Sequence, residues 1–178
     1  GKNGYTIEDT LGFSIAAIRE TLEEAGVFLA SGPDKCREDF EEISVCRLRQ
    51  DPRKAWFRKK VLEDGWVLSL SGLKRWSHWI TPLAMPKRFD TFFFIARMPD
   101  DQVCSPDMKE TETGLWTTPL SALEKNLQIE VPLSPPTITT LTQLLEFKRL
   151  EDLDTALAKH AWPGSIMPRA VLASTGPM

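Results

Sequence analysis

The sequence has few of the residues that build zinc sites and disulfide frameworks. It contains two histidines, His78 and His160, and three cysteines, of which no two form a C-x-x-C pair. Because zinc sites need several Cys or His ligands at characteristic spacings, we do not expect a His/Cys zinc centre. The odd number and wide spacing of the cysteines favour reduced thiols, and therefore a reducing, cytoplasmic location.

Long apolar runs and an excess of positive charge are also missing. The apolar run at residues 92–96 is far shorter than the roughly 20 residues that a membrane-spanning helix needs. The net charge of −3 leaves no broad basic surface for nucleic acid or an anionic membrane. We therefore expect neither partner, and a phosphate-bearing substrate would be attracted locally by a metal or a few arginines.

Helical and strand-like patterns alternate along the 178 residues. The spacing of apolar residues predicts helices over 11–25, over 34–63 with a break at Asp51-Pro52, and over 119–125, 135–147 and 150–159. Aromatic and β-branched segments predict strands at 76–80, 89–98, 111–117 and 166–172. This alternation predicts an α/β (α+β) sandwich in a single domain, residues 1–178, with a helical insertion at about 34–65.

The end of the first predicted helix concentrates negative charge. Glu20, Glu23 and Glu24 project to one side, because residues three and four apart are neighbours on a helix. They occupy the last two turns, where the helix dipole disfavours carboxylates, and the single Arg19 does not balance them. A hard divalent cation, Mg²⁺ or Mn²⁺, would resolve this conflict because it prefers carboxylate and phosphate oxygens. The alternative is an exposed acidic helix end with ordinary surface glutamates.

The string Arg19-Glu20-Thr21-Leu22-Glu23-Glu24-Ala25-Gly26-Val27 resembles the second half of the Nudix box, R-E-U-x-E-E-x-G-U, with Thr21 replacing the usual aliphatic residue. The resemblance implies a Nudix-like α/β/α sandwich with a mixed sheet and a pyrophosphohydrolase activity. It places metal binding or water positioning on Glu20, Glu23 and Glu24, and the orientation of a glutamate on Arg19. Glu20, Glu23 and Arg19 are accordingly the predicted catalytic residues.

The first half of the box does not match, because Tyr5 and Leu11 stand where the family has a glycine and a glutamate. One Nudix subfamily carries an insertion inside the box, and the peroxisomal coenzyme A diphosphatases with their bacterial relatives are similar to this chain. Segments such as Trp79-Ile80-Thr81-Pro82 and Arg88-Phe89-Asp90-Thr91 resemble that subfamily in the same order. We expect the N-terminal strands and glycine loop that usually precede the box to be absent from this chain.

A few further residues are candidates for the site. By resemblance, Glu110 is a predicted additional metal ligand, and Glu112 is an equal alternative. Arg88 is a predicted contact of a substrate phosphate, with a strand-end salt bridge as the alternative. Trp79 is a predicted stacking partner for an adenine, with core packing as the alternative. His78 has no visible partner, and a catalytic role for it is not favoured.

The predicted function is Mg²⁺- or Mn²⁺-dependent hydrolysis of a diphosphate linkage in a small-molecule nucleoside diphosphate derivative. Coenzyme A or acyl-CoA is the substrate that the resemblance suggests, and a homodimer is compatible with it. Because the box is incomplete, a non-catalytic Nudix-fold domain that binds a nucleotide or a protein is the rival hypothesis. A helical interaction domain is a third hypothesis, and the strand-like pattern of residues 88–98 disfavours it.

Overall fold

The computed structural model describes residues 5–32, 34–49, 55–107, 114–159 and 164–169. The backbone contacts group the chain into two compact units, and each is assembled from two stretches of sequence. The first unit comprises Gly1–Lys74 and Ile95–Trp116, and the second comprises Arg75–Phe94 and Thr117–Met178. The assignment of residues 1–178 to a single domain stays a prediction.

The first unit is mainly helical and contains one short antiparallel strand pairing. Its elements are α1 (Ile7–Ala25), β1 (Ala30–Ser31), α2 (Arg37–Cys46), a 3-10 turn (Arg47–Arg49), α3 (Trp56–Glu63), β2 (Val67–Leu68) and a second 3-10 turn (Leu70–Gly72). Strands β1 and β2 pair antiparallel, with Ala30 opposite Leu68. The helices predicted over 34–63 are thereby confirmed, whereas the break predicted at Asp51-Pro52 lies outside the described residues.

Helix α1 begins at Ile7, earlier than its apolar pattern predicts, so its N-cap position also lies earlier. Thr6 occupies that position: its hydroxyl accepts a bond from the Asp9 backbone N–H at 3.1 Å, and the Asp9 carboxylate accepts one from the Thr6 N–H at 2.8 Å. Such a capping box satisfies two otherwise unpaired donors and can start a helix without burying anything. Ile7, in the first turn, is 88% exposed, so the apolar periodicity could not reveal this start.

One apolar cluster forms the core of the first unit. Ile18 and Leu22 of α1 are fully buried, and they pack in the cluster with Phe28, Ile43, Phe57 and Trp66. The Phe28 and Trp66 rings meet edge to face with centroids 5.0 Å apart. Because Ile18 and Leu22 turn one face of α1 inward, the exposed Glu20 and Glu24 lie on the opposite, outward face.

The second unit combines two paired strands with three helices. Its elements are β3 (Lys74–Ile80), β4 (Asp90–Ile95), α4 (Pro119–Leu127), α5 (Pro135–Leu144) and α6 (Leu150–Lys159), although the end residues Lys74 and Ile95 are counted in the first unit. Strand β3 is hydrogen-bonded to β4, and Trp79 also forms a parallel bridge with Ile166. Thr118 caps α4 by accepting a bond from the Ser121 backbone N–H at 3.2 Å.

Several predicted strands are shorter than expected. The strand predicted at 89–98 is confirmed over Asp90–Ile95 only. Residues 114–117 form no strand, and the rest of the segment predicted at 111–117 lies outside the described residues. Of the predicted strand 166–172, Ile166 alone pairs, residues 167–169 do not, and the remainder is again outside the description. Among the described helices, none is long and apolar enough to cross a membrane.

Candidate active site

The acidic end of α1 is organised by Arg19. One guanidinium nitrogen of Arg19 lies 3.1 Å from a Glu20 carboxylate oxygen, and the other terminal nitrogen lies 3.6 Å from a Glu23 oxygen. The arginine therefore bridges two carboxylates. This arrangement lowers the repulsion between the two glutamates, although partial exposure screens each ion pair.

The three glutamates differ in their exposure to solvent. The Glu20 side chain is 59% exposed and the Glu23 side chain 18% exposed, and Glu24 is also exposed. Glu23 keeps one carboxylate oxygen, Oε1, buried. A carboxylate removed from water in this way gains more from a nearby cation than an exposed one does.

The donor set of this helix face suits a hard divalent cation. Glu20, Glu23 and Glu24 offer only carboxylate oxygens, which are the ligands that Mg²⁺ and Mn²⁺ prefer. In the ranges that the structure describes, no three His, Cys, Asp or Glu side chains converge closely enough to enclose an ion. Binding would thus require Glu20 or Glu23 to turn away from Arg19. The predicted ligand Glu110 and its alternative Glu112 lie outside the described residues.

Gly26 ends the helix in a conformation that other residues adopt poorly. Its φ is +71°, in the left-handed region, and its N–H donates to the Leu22 carbonyl at 3.0 Å. A Cβ added at this position would lie 2.7 Å from the Ser44 hydroxyl oxygen and 3.0 Å from the Arg47 guanidinium carbon. The glycine of the box is therefore required both for the turn and for the close approach of α2 and the 3-10 turn that follows it.

A buried arginine that the sequence analysis missed lies against this helix end. Arg47 is 5% exposed, and its Nε donates to the Glu23 carbonyl oxygen at 3.1 Å. Its terminal nitrogens donate to the carbonyl oxygens of Ser44 and Ser105 and to the Ser44 hydroxyl at 3.0 Å. Burial lowers the pKa of Arg47, and the Asp107 carboxylate opposes that shift. The group remains cationic because the guanidinium does not lose its proton in proteins.

Arg47 revises the electrostatic reasoning about α1. The last turn of the helix contains no basic residue of its own, so the sequence suggested that a metal alone would offset its negative charge. In the structure, a cation from another segment lies at the negative end of the helix dipole and stabilises it. No local sequence pattern predicts this contact, because Arg47 is 24 residues from Glu23 along the chain.

A cavity of about 270 Å³ adjoins the same helix end. Its walls are apolar and acidic, formed by Gly26, Phe40, Glu41, Ser44, Val45, Asp101, Gln102, Val103 and Ser105. None of these described lining residues is basic. Because a diphosphate needs cations or N–H donors to offset its charge, this cavity does not suit the diphosphate itself.

The predicted substrate residues belong to the second unit. The Arg88 side chain is exposed, and its Nε donates to the Thr81 carbonyl at 3.1 Å, which is a contact other than the salt bridge weighed as the alternative. Trp79 is 8% exposed, and its indole N–H donates to the Ser77 hydroxyl at 3.2 Å. In this conformation the Trp79 side chain is packed in the interior of the second unit. The proposed substrate contacts of Arg88 and Trp79 stay predictions.

His78 has a partner, contrary to the sequence-based expectation. The imidazole is buried, its Nε2 is hydrogen-bonded to the Asp90 carboxylate, and the ring stacks on Phe92 with centroids 3.9 Å apart. The pairing links β3 to β4, and only their register brings the two residues together. The geometry gives His78 a structural task in the second unit.

A solved structure and a family model both match this chain. A crystal structure of a NUDIX hydrolase from Alicyclobacillus acidocaldarius superimposes with a TM-score of 0.64, covering 93% of this chain and 72% of that chain at 22% identity. The α/β Nudix-like fold predicted from the sequence is therefore confirmed. Residues 1–144 also match the family model described as the NUDT19 Nudix domain. The chain belongs to that family, so the resemblance to the Nudix hydrolases is confirmed.

The similar relatives include two vertebrate proteins named acyl-coenzyme A diphosphatase NUDT19. The human protein is 32% identical over 165 residues, covering 85% of this chain and 44% of the relative. The Xenopus laevis protein is 29% identical over 178 residues, covering 92% of this chain and 47% of the relative. The chain thus spans about half the length of these relatives.

Proposed function

We propose that this chain hydrolyses a diphosphate linkage in a nucleoside diphosphate derivative, with coenzyme A or an acyl-CoA as the substrate class. The observation that carries the proposal is the acidic face of α1, where Arg19 bridges Glu20 and Glu23 beside Glu24. The relatives named acyl-coenzyme A diphosphatase support the choice of substrate. Their names describe them, and for this chain the substrate is our proposal.

Glu20, Glu23 and Glu24 are the residues that would hold Mg²⁺ or Mn²⁺, with Glu110 as a further proposed ligand. When bound, such an ion would neutralise the charge of the diphosphate and acidify a water molecule. Arg19 holds the carboxylates of Glu20 and Glu23 close together. Glu23 has a buried carboxylate oxygen, Oε1, and burial strengthens its attraction to a cation.

The reaction adds water across the P–O–P linkage. The water oxygen forms a bond to one phosphorus atom, and the bond from that phosphorus to the bridging oxygen breaks. The bridging oxygen leaves with the second phosphate, and the proton released from the water passes to a carboxylate, for which the exposed Glu20 is the proposed acceptor. Both products are phosphomonoesters. Arg88 and Trp79 are the proposed contacts of a substrate phosphate and of its adenine.

A reducing, cytoplasmic compartment is part of the proposal, because all three cysteines are thiols, including the exposed Cys36. A small molecule is the proposed ligand, and a homodimer is compatible with it. The rival function is a non-catalytic Nudix-fold domain that binds a nucleotide or a protein. It is favoured by one observation, namely that the described carboxylates contact Arg19 and do not converge on an ion.

A Mn²⁺ titration followed by calorimetry separates the two functions. In Glu23→Gln plus Glu24→Gln, we expect Mn²⁺ affinity to fall by about tenfold or more, since two charged ligands become neutral. Glu41→Gln plus Glu42→Gln is the matched control, because those consecutive glutamates are exposed on α2 and removing them changes the net charge equally. Products from a panel of diphosphates should appear with the control and not with the Glu23/Glu24 variant.

Two results would contradict the enzyme. Absence of any Mn²⁺ or Mg²⁺ response in the unaltered protein would favour the binding module. Equal losses of affinity in the two double variants would show that net charge, and not the end of α1, determines the binding.

A further inference from the structure

We propose that Arg47 is a positioning residue that fixes the metal-binding end of α1, so that Glu23 and Glu24 are held where an ion can reach them. The inference rests on the proposed function, because it requires those two carboxylates to be ligands. Arg47 itself would touch neither the ion nor the substrate.

Arg47 contacts three separate segments of the first unit. Its guanidinium donates to the carbonyl oxygens of Glu23, Ser44 and Ser105, which belong to α1, to α2 and to the chain between β4 and α4. One of the three acceptors is thus the backbone of a proposed ligand. A planar group with fixed donor directions sets the angle between the segments it joins, whereas a lysine would act as a single point charge.

The last carbonyl groups of α1 have hydrogen-bond partners outside the helix. The final carbonyl groups of a helix have no partners within the helix and fray easily unless something else binds them. Here the Ser105 N–H donates to the Ala25 carbonyl at 2.8 Å, and the Asp107 N–H donates to the Glu24 carbonyl at 3.0 Å. Together with the bond from Arg47 to Glu23, three consecutive carbonyls of the acidic turn are held from outside the helix.

Arg47 also places a positive charge at the acidic end of α1. Glu23 and Glu24 lie in a final turn that contains no basic residue. Their carboxylates are therefore destabilised by the neighbouring negative charges and by the helix dipole. The buried Arg47 cation donates to a carbonyl at this negative end and offsets the helix dipole there. Because the backbone of this turn is already ordered, ordering it does not reduce the free energy of ion binding.

Positioning can be distinguished from simple stabilisation. A residue that only stabilised the fold would change the unfolding midpoint and leave the metal affinity of the folded protein unchanged. Loss of a residue that orients ligands typically weakens metal affinity about 10- to 100-fold. The neighbouring Arg49 provides a control, because it lies in the same 3-10 turn and its side chain is exposed.

The experiment compares Arg47→Lys, Arg47→Gln and Arg49→Gln in two measurements. Free and bound Mn²⁺ are measured by electron paramagnetic resonance well below the unfolding temperature. Amide hydrogen exchange is measured at Ser105 and Asp107, whose N–H groups donate to α1. Both Arg47 variants should weaken Mn²⁺ binding about 10- to 100-fold and exchange these two amides faster, whereas Arg49→Gln should match the unaltered protein in both measurements.

The outcomes separate this inference from the proposed function. Folded Arg47 variants with unchanged Mn²⁺ affinity would overturn the inference and leave the metal site standing. If the unaltered protein binds no Mn²⁺, the proposed function fails, and unchanged amide exchange in Arg47→Lys would overturn the positioning of α1 as well. Should both Arg47 variants unfold, Gly26→Ala displaces the Arg47 guanidinium through its added Cβ, and unchanged affinity and exchange in that variant refute the inference.

Discussion

Replacing Gly26 with alanine tests how closely the end of α1 is packed, and Gly65 offers a matched comparison. Both glycines have positive φ, +71° and +68°, so alanine is strained by about 1–2 kcal/mol at either position. Alanine also restricts the unfolded chain, which offsets about 0.4–1 kcal/mol of that strain. A Cβ at Gly65 would have no heavy atom within 4 Å among those described, whereas at Gly26 it would meet Ser44 and Arg47.

Gly65→Ala should therefore lower the free energy of unfolding by about 1 kcal/mol or less. Gly26→Ala should cost about 2–4 kcal/mol, because the strain is accompanied by displacement of Arg47 from a hydrogen bond to a carbonyl, and bonds from charged groups contribute about 1.5–3 kcal/mol. Urea unfolding followed by far-ultraviolet circular dichroism measures both values, and the slope of each transition shows whether the same cooperative unit is being compared.

Equal losses in the two variants would refute the close-approach argument, since conformational strain alone would then explain both. The metal titration adds a second criterion. Gly26→Ala should weaken Mn²⁺ binding in the folded protein, because its Cβ pushes Arg47 away from Glu23, and Gly65→Ala should not.

Three further predictions concern other contacts. Gln102→Glu should destabilise the first unit by about 1–3 kcal/mol in urea unfolding, because a carboxylate cannot donate to the Phe28 carbonyl that the Gln102 amide now binds at 2.9 Å. Asp90→Ala should cost about 1–3 kcal/mol, measured by thermal unfolding, because it removes a partner of the buried His78, whereas Asp90→Asn keeps an acceptor and should cost less. Hydrogen bonds of the capping box lower the pKa of Asp9 below its ordinary 3.8, so the stability it adds is complete above that value and is lost as the pH falls through the lowered pKa. Asp9→Asn should accordingly flatten the dependence of unfolding on pH in the range below about 4, and an unchanged curve would contradict the assignment.

Local patterns in the sequence predicted those parts of the fold that depend on near neighbours. Apolar periodicity located α6 with the bounds that the structure has, Leu150–Lys159, and the aromatic run located β4. The charged motif placed Arg19 beside its glutamates, which are within four residues of it along the helix. In each case the interacting groups are separated by a fixed, short repeat, so the spacing alone carries the information.

Contacts between distant residues could not be predicted in this way. Arg47 reaches Ser105 across 58 residues, and Gln102 reaches Phe28 across 74. Both are single polar side chains, and nothing in the neighbouring sequence separates them from ordinary surface residues. The cation at the end of α1 was missed for this reason, because Arg47 comes from a remote segment.

The Gln102 side chain has a further consequence for the segment that follows α1. Its carboxamide binds both the N–H and the C=O of Phe28, at 2.7 and 2.9 Å, much as a paired strand would. Phe28 is fully buried and lies outside the described strands, so its backbone groups need partners within the protein. One side chain provides both bonds, and this part of the core is completed without an additional strand.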